Sequence, residues 1–494
     1  MKQMDTDIIV VAGGLSGLAA AVASAEKGAK VIVFEKANAT GGAANMGMGP
    51  LGIGSRIQKD QMVTITPGEA LRKHMYFTHC KVDLRIVREY YFKSGETIDW
   101  LQDMGVRFAG AQRAFSAPEA TRAYSDGEFT WHVVIADDGT VGPRSATSMT
   151  SALTRRAKEL GVEFLLETPV KELITEDGEV VGVRAVAADG EEIECTGGAV
   201  ILATGGFGAN PQMIQEQTGF EFGKTIYNFA IPGMAGDGIK MAWAAGAGRT
   251  ECTMELMYQL PDNMNHFVLD GAFRQPCLWV NRLGERFIPE DSIANTTFTG
   301  NAIAAQPGKI CYAIFDDVLL AHYKKDGGDI PSHVHPHDLY DLFDEEWARD
   351  LAAGYEPICE AGSWEELAEK AGIDKDGLLG TVALYNADCE KGYDSIFEKD
   401  RRYLQKLGEG KLYCCRQNVG AYGSLGGILI NYKMEALTPD YEPIPGLYAV
   451  GTDSCNIFGD SYPFIFPGNT MGWCLNSGRI AAENAMDFVF VTEE

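Results

Sequence analysis

Three glycines and a glutamate near the N-terminus form a pattern that can bind a dinucleotide. A glycine-rich turn leaves backbone N–H groups free to bind a pyrophosphate, and a carboxylate about 20 residues later can accept hydrogen bonds from a ribose. The turn Ala12-Gly13-Gly14-Leu15-Ser16-Gly17 and the later Glu35 have this spacing. Ala12 stands where the pattern usually has its first glycine, so the tight turn requires either a negative φ or backbone strain at this alanine.

The surrounding sequence predicts the elements that would hold this pattern in place. The apolar run at 8–11 suits a central parallel strand. The alanine-rich stretch 18–27 predicts a helix that ends at Gly28, and residues 29–34 predict a second strand leading into Glu35. The alternative is an ordinary strand-helix-strand unit without a ligand. Because the strand, the helix and the acidic residue all agree, we favour a dinucleotide site.

Composition limits the classes of partner. The chain has 494 residues, 46% of them hydrophobic and 22% charged, which is typical of a globular protein of two or three domains. Its formal net charge of -27 argues against a nucleic-acid or anionic-membrane partner, since phosphate surfaces would repel it. We found no leader pattern and no apolar run that could span a bilayer, so we expect a cytoplasmic protein.

The cysteines and histidines give no sequence case for a metal or an attached haem. There are 11 cysteines, without a CxxC spacing, and we interpret them as reduced thiols. The run His333-Val334-His335-Pro336-His337 could bind a metal in principle, but a polar loop is the better interpretation because no Cys or Asp cluster accompanies it. We therefore predict no metal site.

Two further small-residue segments suggest close approach of the backbone to a ligand. Residues 40–50 (TGGAANMGMGP) lack helix or strand periodicity and could lie against a flat ring, although a flexible loop is the alternative. A buried strand at 199–202 ends in Ala203-Thr204-Gly205-Gly206, at the strand end where open α/β sheets bind ligands. Gly236-Asp237-Gly238 opens a helix, and a final helix begins at Asn469.

These landmarks together resemble a known flavoprotein family. The glycine turn at 12–17, TGG at 40–42, ATGG at 203–206, IPGLYAVG at 444–451 and GNTMG at 468–472 occur in the order found in fumarate reductase, succinate dehydrogenase and 3-ketosteroid dehydrogenase flavoproteins. The resemblance implies an α/β fold, with a Rossmann-like FAD-binding domain at 1–253 and 424–494. It also implies an inserted α+β capping domain at 254–423, and hydride exchange between flavin N5 and a C–C bond.

The same resemblance, together with the glycine turns, predicts the residues of the cofactor site. No histidine occurs in the segment 40–50, so we expect the FAD to be bound non-covalently. Val170 stands where a backbone contact to adenine is expected. The predicted FAD-binding residues are Ala12, Gly13, Gly14, Ser16, Gly17, Glu35, Lys36, Gly41, Gly42, Ala43, Met46, Met48, Val170, Ala203, Thr204, Gly205, Asp237, Asp453, Gly468, Asn469, Thr470 and Met471.

The family's substrate-binding residues do not carry over. Fumarate reductases hold two carboxylates with histidines and arginines, but the corresponding stretches here read MYQLP (257–261), DSIAN (291–295), YGSLGG (422–427) and SYPFIFPG (461–468). A buried dicarboxylate without paired charges costs several kcal/mol or more. We therefore expect a small, neutral, cyclic substrate, such as a steroid or a plant phenolic. Arg286, in the family motif GERF, is interpreted as a structural ion-pair partner.

Tyrosines are the predicted proton-transfer residues. Tyr462 is the first choice, because Tyr462-Pro463 and Gly468 resemble the Tyr-Pro-Gly-Pro-Gly stretch of ketosteroid dehydrogenases and a phenol can protonate a developing enolate. Tyr422 and Tyr258 are alternates, and each could instead be a packed core residue. We predict a reductase with an external electron donor or acceptor. The alternatives are a ketosteroid dehydrogenase-like desaturase and a non-catalytic flavin electron-transfer subunit.

Overall fold

The computed structural model describes residues 1–114, 127–332 and 334–491. In this part of the chain the strands are β1 (Lys2–Val11), β2 (Val31–Phe34), β3 (Phe108–Gln112), β4 (Trp131–Val134), β5 (Glu163–Leu165), β6 (Val170–Glu176), β7 (Glu179–Val186), β8 (Glu192–Leu202), β9 (Tyr227–Asn228), β10 (Thr253–Gln259), β11 (Leu278–Val280), β12 (Ile310–Asp316), β13 (Ile358–Ala361), β14 (Leu412–Gly427), β15 (Glu435–Leu437), β16 (Pro443–Ala449) and β17 (Ser454–Cys455).

The described α-helices are numbered in the same way. They are α1 (Leu15–Glu26), α2 (Arg56–Asp60), α3 (Pro67–Phe77), α4 (Leu84–Asp103), α5 (Thr147–Glu159), α6 (Pro211–Thr218), α7 (Asp237–Ala244), α8 (Phe267–Ala272), α9 (Thr296–Ala304), α10 (Asp317–Asp326), α11 (Phe343–Ala352), α12 (Trp364–Ala371), α13 (Lys375–Lys391) and α14 (Asn469–Val491). None of these helices is both long enough and apolar enough to span a bilayer.

An eight-stranded sheet carries the N-terminal glycine turn. Its main path runs β15-β16-β8-β1-β2-β5, and β6 and β7 extend it from β8. Strands β1, β2, β5, β8 and β16 are parallel, so their carboxyl ends meet at one edge. The run 8–11 of β1 is fully enclosed, with side chains at most 4% exposed, which explains its unbroken apolar sequence. The predicted α/β class with a Rossmann-like sheet is confirmed.

Helix α1 is buried on all sides because it lies between this sheet and α14. Small residues allow the two helices to pack closely: a Cβ on Gly478 of α14 would lie 2.3 Å from the carbonyl oxygen of Ser16. The sequence predicts a helix at 18–27, whereas the structure starts it at Leu15, directly after the glycine turn. The first helical N–H groups therefore face the carboxyl edge of the sheet.

A second, mixed sheet of seven strands is built around the long strand β14, which pairs with β9, β10, β12, β13 and β17. Helices α8 to α13 lie in the sequence between β10 and β14. The proposed domain boundaries fall at the start of β10 and inside β14, which continues to Gly427. Because β14 also pairs with β17 beyond residue 453, this one strand links the two parts of the chain.

Candidate active site

The turn after β1 shows why its glycines are needed. A Cβ on Gly17 would lie 1.9 Å from the carbonyl oxygen of Ala12, so any side chain there would push α1 away from the strand. Ala12 itself has a φ of 85°, which resolves the choice in favour of backbone strain at this alanine. The N-cap Gly14 gives α1 no side-chain hydrogen bond, although the first turn of the helix is buried. An uncapped, buried helix N-terminus is suited to an anionic ligand.

Glu35 is held at the edge of this turn. Its carboxylate accepts the N–H of Gly13 at 2.7 Å and the N–H of Ala37 at 2.7 Å, one on each oxygen. Each carboxylate oxygen can accept a second hydrogen bond, so a ribose hydroxyl could still bind. The backbone of Glu35 also bonds to Leu165 and Thr168, which fixes the acidic residue relative to the start of β6 at Val170.

The segment 40–50 packs directly on the glycine turn. The N–H of Gly41 donates to the carbonyl of Gly13 at 2.8 Å, and Gly41 has a φ of 101°, a conformation that favours glycine. Met471 of α14 lies against Gly47, where a Cβ would come within 2.5 Å of its sulfur. The predicted neighbours Gly42, Ala43 and Met46 are exposed, and Met48 is half-buried.

A buried carboxylate organises the second turn, at 203–206. Asp453 accepts hydrogen bonds from the backbone N–H of Thr204 at 2.5 Å and of Gly206 at 2.9 Å. It also accepts the Thr204 hydroxyl, which in turn accepts the N–H of Gly238 at 3.0 Å. Burial raises the pKa of Asp453, and these donors act in the opposite direction. Gly205, between Thr204 and Gly206, has a φ of 91°.

Three other predicted cofactor residues, Lys36, Ser16 and Gly468, contact different segments of the chain. Lys36, next to Glu35, forms an ion pair of 2.6 Å with Asp237 at the start of α7. Ser16 lies against Gly451, where a Cβ would come within 2.6 Å of its hydroxyl oxygen. The carbonyl of Gly468 accepts the N–H of Leu51 at 2.7 Å. The predicted residues of both glycine turns thus lie at one edge of the sheet, at the carboxyl ends of the adjacent parallel strands β1 and β8.

Tyr462 is placed at the N-terminus of α14. Its phenol oxygen accepts the N–H of Asn469 at 3.0 Å and the N–H of Thr470 at 3.3 Å. The side chain is 3% exposed, and burial raises its pKa well above the usual value for a tyrosine. The phenol therefore caps the helix that carries Asn469, Thr470 and Met471.

A second polar network contacts the side chain of Asn469 at the same end of α14. The Tyr90 hydroxyl donates to the Asn469 side-chain oxygen at 2.8 Å, and the Asn469 amide donates to the Tyr91 hydroxyl at 3.3 Å. Tyr91 lies 2.8 Å from Nδ1 of the fully buried His74, whose Nε2 bonds to the Ile457 carbonyl. Burial lowers the pKa of His74 to about 4, so the ring is neutral.

The two alternate tyrosines differ in their surroundings. Tyr258 is 1% exposed, and its hydroxyl donates to the carbonyl of Ile293 at 3.1 Å, so its proton is already engaged. Tyr422 keeps 37% of its surface and stacks on Phe229 at a ring distance of 5.9 Å. Removal from water nonetheless raises the pKa of Tyr422. Tyr422 is therefore the more accessible of the two alternates.

Glu255 also belongs to this region, and the sequence analysis missed it. The residue lies in β10 opposite a bulge of β14, where Met254 pairs with Ser424 but Leu256 pairs with Ala421. Glu255 is 3% exposed, and its two carboxyl oxygens each lie 2.9 Å from the Thr470 hydroxyl. A single carboxylate in the buried strand TMELMYQ was the available sequence signal.

Comparisons with known proteins agree with this geometry. The family described as FAD binding domain matches residues 7–465. The chain belongs to this family. It is 32% identical over 500 residues to the vinyl phenol reductase of Lactiplantibacillus plantarum, covering 99% of this chain and 97% of the relative. The predicted FAD cofactor and the assignment to FAD-dependent oxidoreductases are confirmed.

The chain is also similar to a fumarate-type relative in sequence and to a ketosteroid dehydrogenase in fold. It is 27% identical to the NADH:fumarate oxidoreductase of Klebsiella pneumoniae over 97% of this chain, but it spans only 47% of that relative. Its fold is similar to a solved 3-ketosteroid delta1-dehydrogenase from Sterolibacterium denitrificans, with a TM-score of 0.80 at 21% identity, covering 97% of this chain and 99% of that chain. The predicted resemblance to both flavoprotein groups is confirmed.

Two polar clusters of the FAD-binding protein lie apart from the cofactor edge. Arg286 pairs with Glu290 at 2.6 Å and with Asp394 at 2.8 Å, all buried, which confirms its structural role. In the predicted polar loop, His333 lies outside the described residues. His335 bonds to Asp270 at 3.1 Å and to Ser332 at 2.8 Å. No group that could hold a metal ion is present among the residues described.

Proposed function

We propose that the protein uses FAD to reduce a carbon-carbon double bond conjugated to a neutral ring, of the plant-phenolic or cyclic enone type. The vinyl phenol reductase similarity, which extends over nearly the full length of both chains, supports this substrate class. The fumarate-type relative supports the reductive direction. The external electron donor and the cytoplasmic location stay predictions from the sequence.

The pairing of Arg274 is the observation that carries the proposal. The Arg274 guanidinium lies 4.4 Å above the Tyr258 ring. Burial raises the pKa of Tyr422, and the positive charge of Arg274 opposes this shift. Arg274 is already paired with Asp270 at 2.9 Å and donates to the Tyr258 carbonyl at 2.8 Å. A substrate carboxylate would have to compete with Asp270 for this cation, whereas a neutral ring needs no counter-charge.

The polar residues then have distinct roles. When FAD is bound, its reduced form would supply a hydride to one alkene carbon. Tyr462 protonates the other carbon, because the N–H groups of Asn469 and Thr470 stabilise the phenolate that remains. Tyr422 offers its ring face to the substrate ring, as it does to Phe229. Tyr258 has a structural role, since its hydroxyl donates to the backbone carbonyl of Ile293.

Anaerobic stopped-flow spectroscopy of the flavin tests this function. The reduced protein is mixed with 4-vinylphenol, with a cyclic enone or with fumarate, and flavin reoxidation is followed. We expect rapid reoxidation by at least one ring-bearing alkene and none by fumarate. Rapid reoxidation by fumarate alone would contradict the proposal. Mixing the oxidised protein with a saturated cyclic ketone tests the desaturase alternative, which predicts that the flavin is bleached.

A further inference from the structure

Glu255 is a buried carboxyl group without a cationic partner. It lies in β10 beside the bulge of β14, its carboxyl oxygens contact the Thr470 hydroxyl of α14, and it forms no ion pair with any described residue. A buried ionised carboxylate without a counter-charge is costly, so such a group normally retains its proton. Burial indeed raises the pKa of Glu255 to about 8 from a usual value of 4.5. The side chain is therefore a neutral acid at pH 7.

The titratable groups around Glu255 do not compete with it near neutral pH. Four titratable groups interact electrostatically with Glu255. They are Tyr422 of β14, Tyr462, Cys455 of β17 and Cys474 of α14. Burial raises the pKa of each of them, to about 12 in the case of Cys474. All four stay protonated and uncharged at pH 7, so Glu255 is the member of this cluster that can lose a proton.

Thr470 lies between Glu255 and Tyr462. Its hydroxyl is 2.9 Å from both carboxyl oxygens of Glu255, and its backbone N–H donates to the Tyr462 hydroxyl at 3.3 Å. A threonine hydroxyl can accept one proton while donating another. We propose that Glu255 stores the proton that restores Tyr462 after each turnover, and that the Thr470 hydroxyl passes it on. This inference rests on the proposed function, in which Tyr462 protonates the substrate.

Each proton that leaves one group in this relay is accepted by the next. The Tyr462 O–H bond breaks and a C–H bond forms at the substrate carbon opposite the one that receives the hydride. The Thr470 hydroxyl then donates its proton to the Tyr462 oxygen, and the Glu255 carboxyl donates its proton to the Thr470 oxygen. Glu255 ends as a carboxylate and takes up one proton from water before the next cycle. The electron pair comes from the reduced flavin, so the relay itself involves no oxidation.

Infrared spectroscopy tests the stored proton without any turnover. The oxidised protein at pH 7 should show a carboxylic-acid C=O band that Glu255→Gln removes and that disappears as the pH rises through about 8. Glu251→Gln, at an exposed glutamate just before β10, is the matched control and should leave the band unchanged. If the wild-type protein lacks this carboxylic-acid band, the proposal is wrong. This test does not depend on whether the protein reduces any alkene.

Kinetics test the relay itself. Because Tyr462 starts protonated, Glu255→Gln should reoxidise the flavin normally in a single turnover, but its steady-state rate at pH 7 should fall by about 10². The wild-type steady-state rate should fall as the pH rises through about 8, whereas the variant should lose this dependence. Thr470→Val should keep the infrared band and show the same steady-state loss. Unchanged rates and pH profile in Glu255→Gln would refute the relay, whereas failure of every ring-bearing alkene in the wild type would refute the proposed function alone.

Discussion

Replacing Gly17 by alanine should separate α1 from the strand that precedes it and weaken FAD binding. The new Cβ would lie 1.9 Å from the Ala12 carbonyl oxygen, whereas an ordinary contact begins at 3.4 Å. The turn must therefore open by about 1.5 Å, the difference between these two distances. The first N–H groups of α1 would move by a similar amount. A hydrogen bond of about 2.9 Å would then be stretched beyond the limit of a bond.

The expected loss of affinity follows from this displacement. Losing one hydrogen bond to a charged phosphate costs about 1.5–3 kcal/mol, which corresponds to about 10- to 150-fold weaker binding. Titration of the deflavinated protein with FAD, followed by quenching of flavin fluorescence, measures the change. Thermal unfolding of the same apoprotein separates weaker binding from loss of the fold.

A matched glycine provides the control for this experiment. Gly380 of α13 has no neighbouring atom within 4 Å of an added Cβ, so Gly380→Ala should bind FAD normally. If Gly17→Ala also binds FAD with wild-type affinity, the assignment of the pyrophosphate to the N-terminus of α1 is wrong.

Three further changes test the strain, the buried charges and the histidines. Ala12→Gly should raise the unfolding free energy by about 1 kcal/mol, measured by chemical denaturation, because it removes the strain at a φ of 85°; an unchanged midpoint would refute this. Arg286→Ala should lower stability by about 3–5 kcal/mol, because the buried Asp394 loses its cation and the buried Glu290 keeps only Lys399. The exposed Lys406→Ala control should cost at most about 1 kcal/mol. Burial lowers the pKa of His132 to about 4 from 6.5, so the unfolded chain takes up a proton first as the pH falls. Wild-type stability should drop by about 2 kcal/mol relative to His132→Gln between pH 7 and pH 5, and equal pH dependence would contradict this.

The cofactor half of the site is predictable because its signals are local. The strand at 8–11, the glycine turn and Glu35 lie within 28 residues of one another. The apolar run predicts the strand, and the glycines predict the tight turn that follows it. The later turns at 40–42 and 203–206 identify FAD through their order along the chain. The sequence also shows that the usual substrate-binding cations are missing from their stretches.

The chemistry of the other half depends on contacts that no local pattern contains. Thr470 meets Glu255 from 215 residues away, and Asp453 meets Thr204 from 249 residues away. Even at Ala12 the sequence left two conformations open, and packing of α1 against β1 selected the strained one.

The sequence by itself predicted the fold class and the FAD cofactor, both of which are confirmed, and it predicts a site without a dicarboxylate clamp. Only the tertiary structure decided which groups carry protons. The proton affinity of Glu255 depends on its burial and on its contact with Thr470, a residue of α14 that lies 215 positions away in the sequence. Desolvation is a property of this three-dimensional surrounding, so a linear pattern cannot show it.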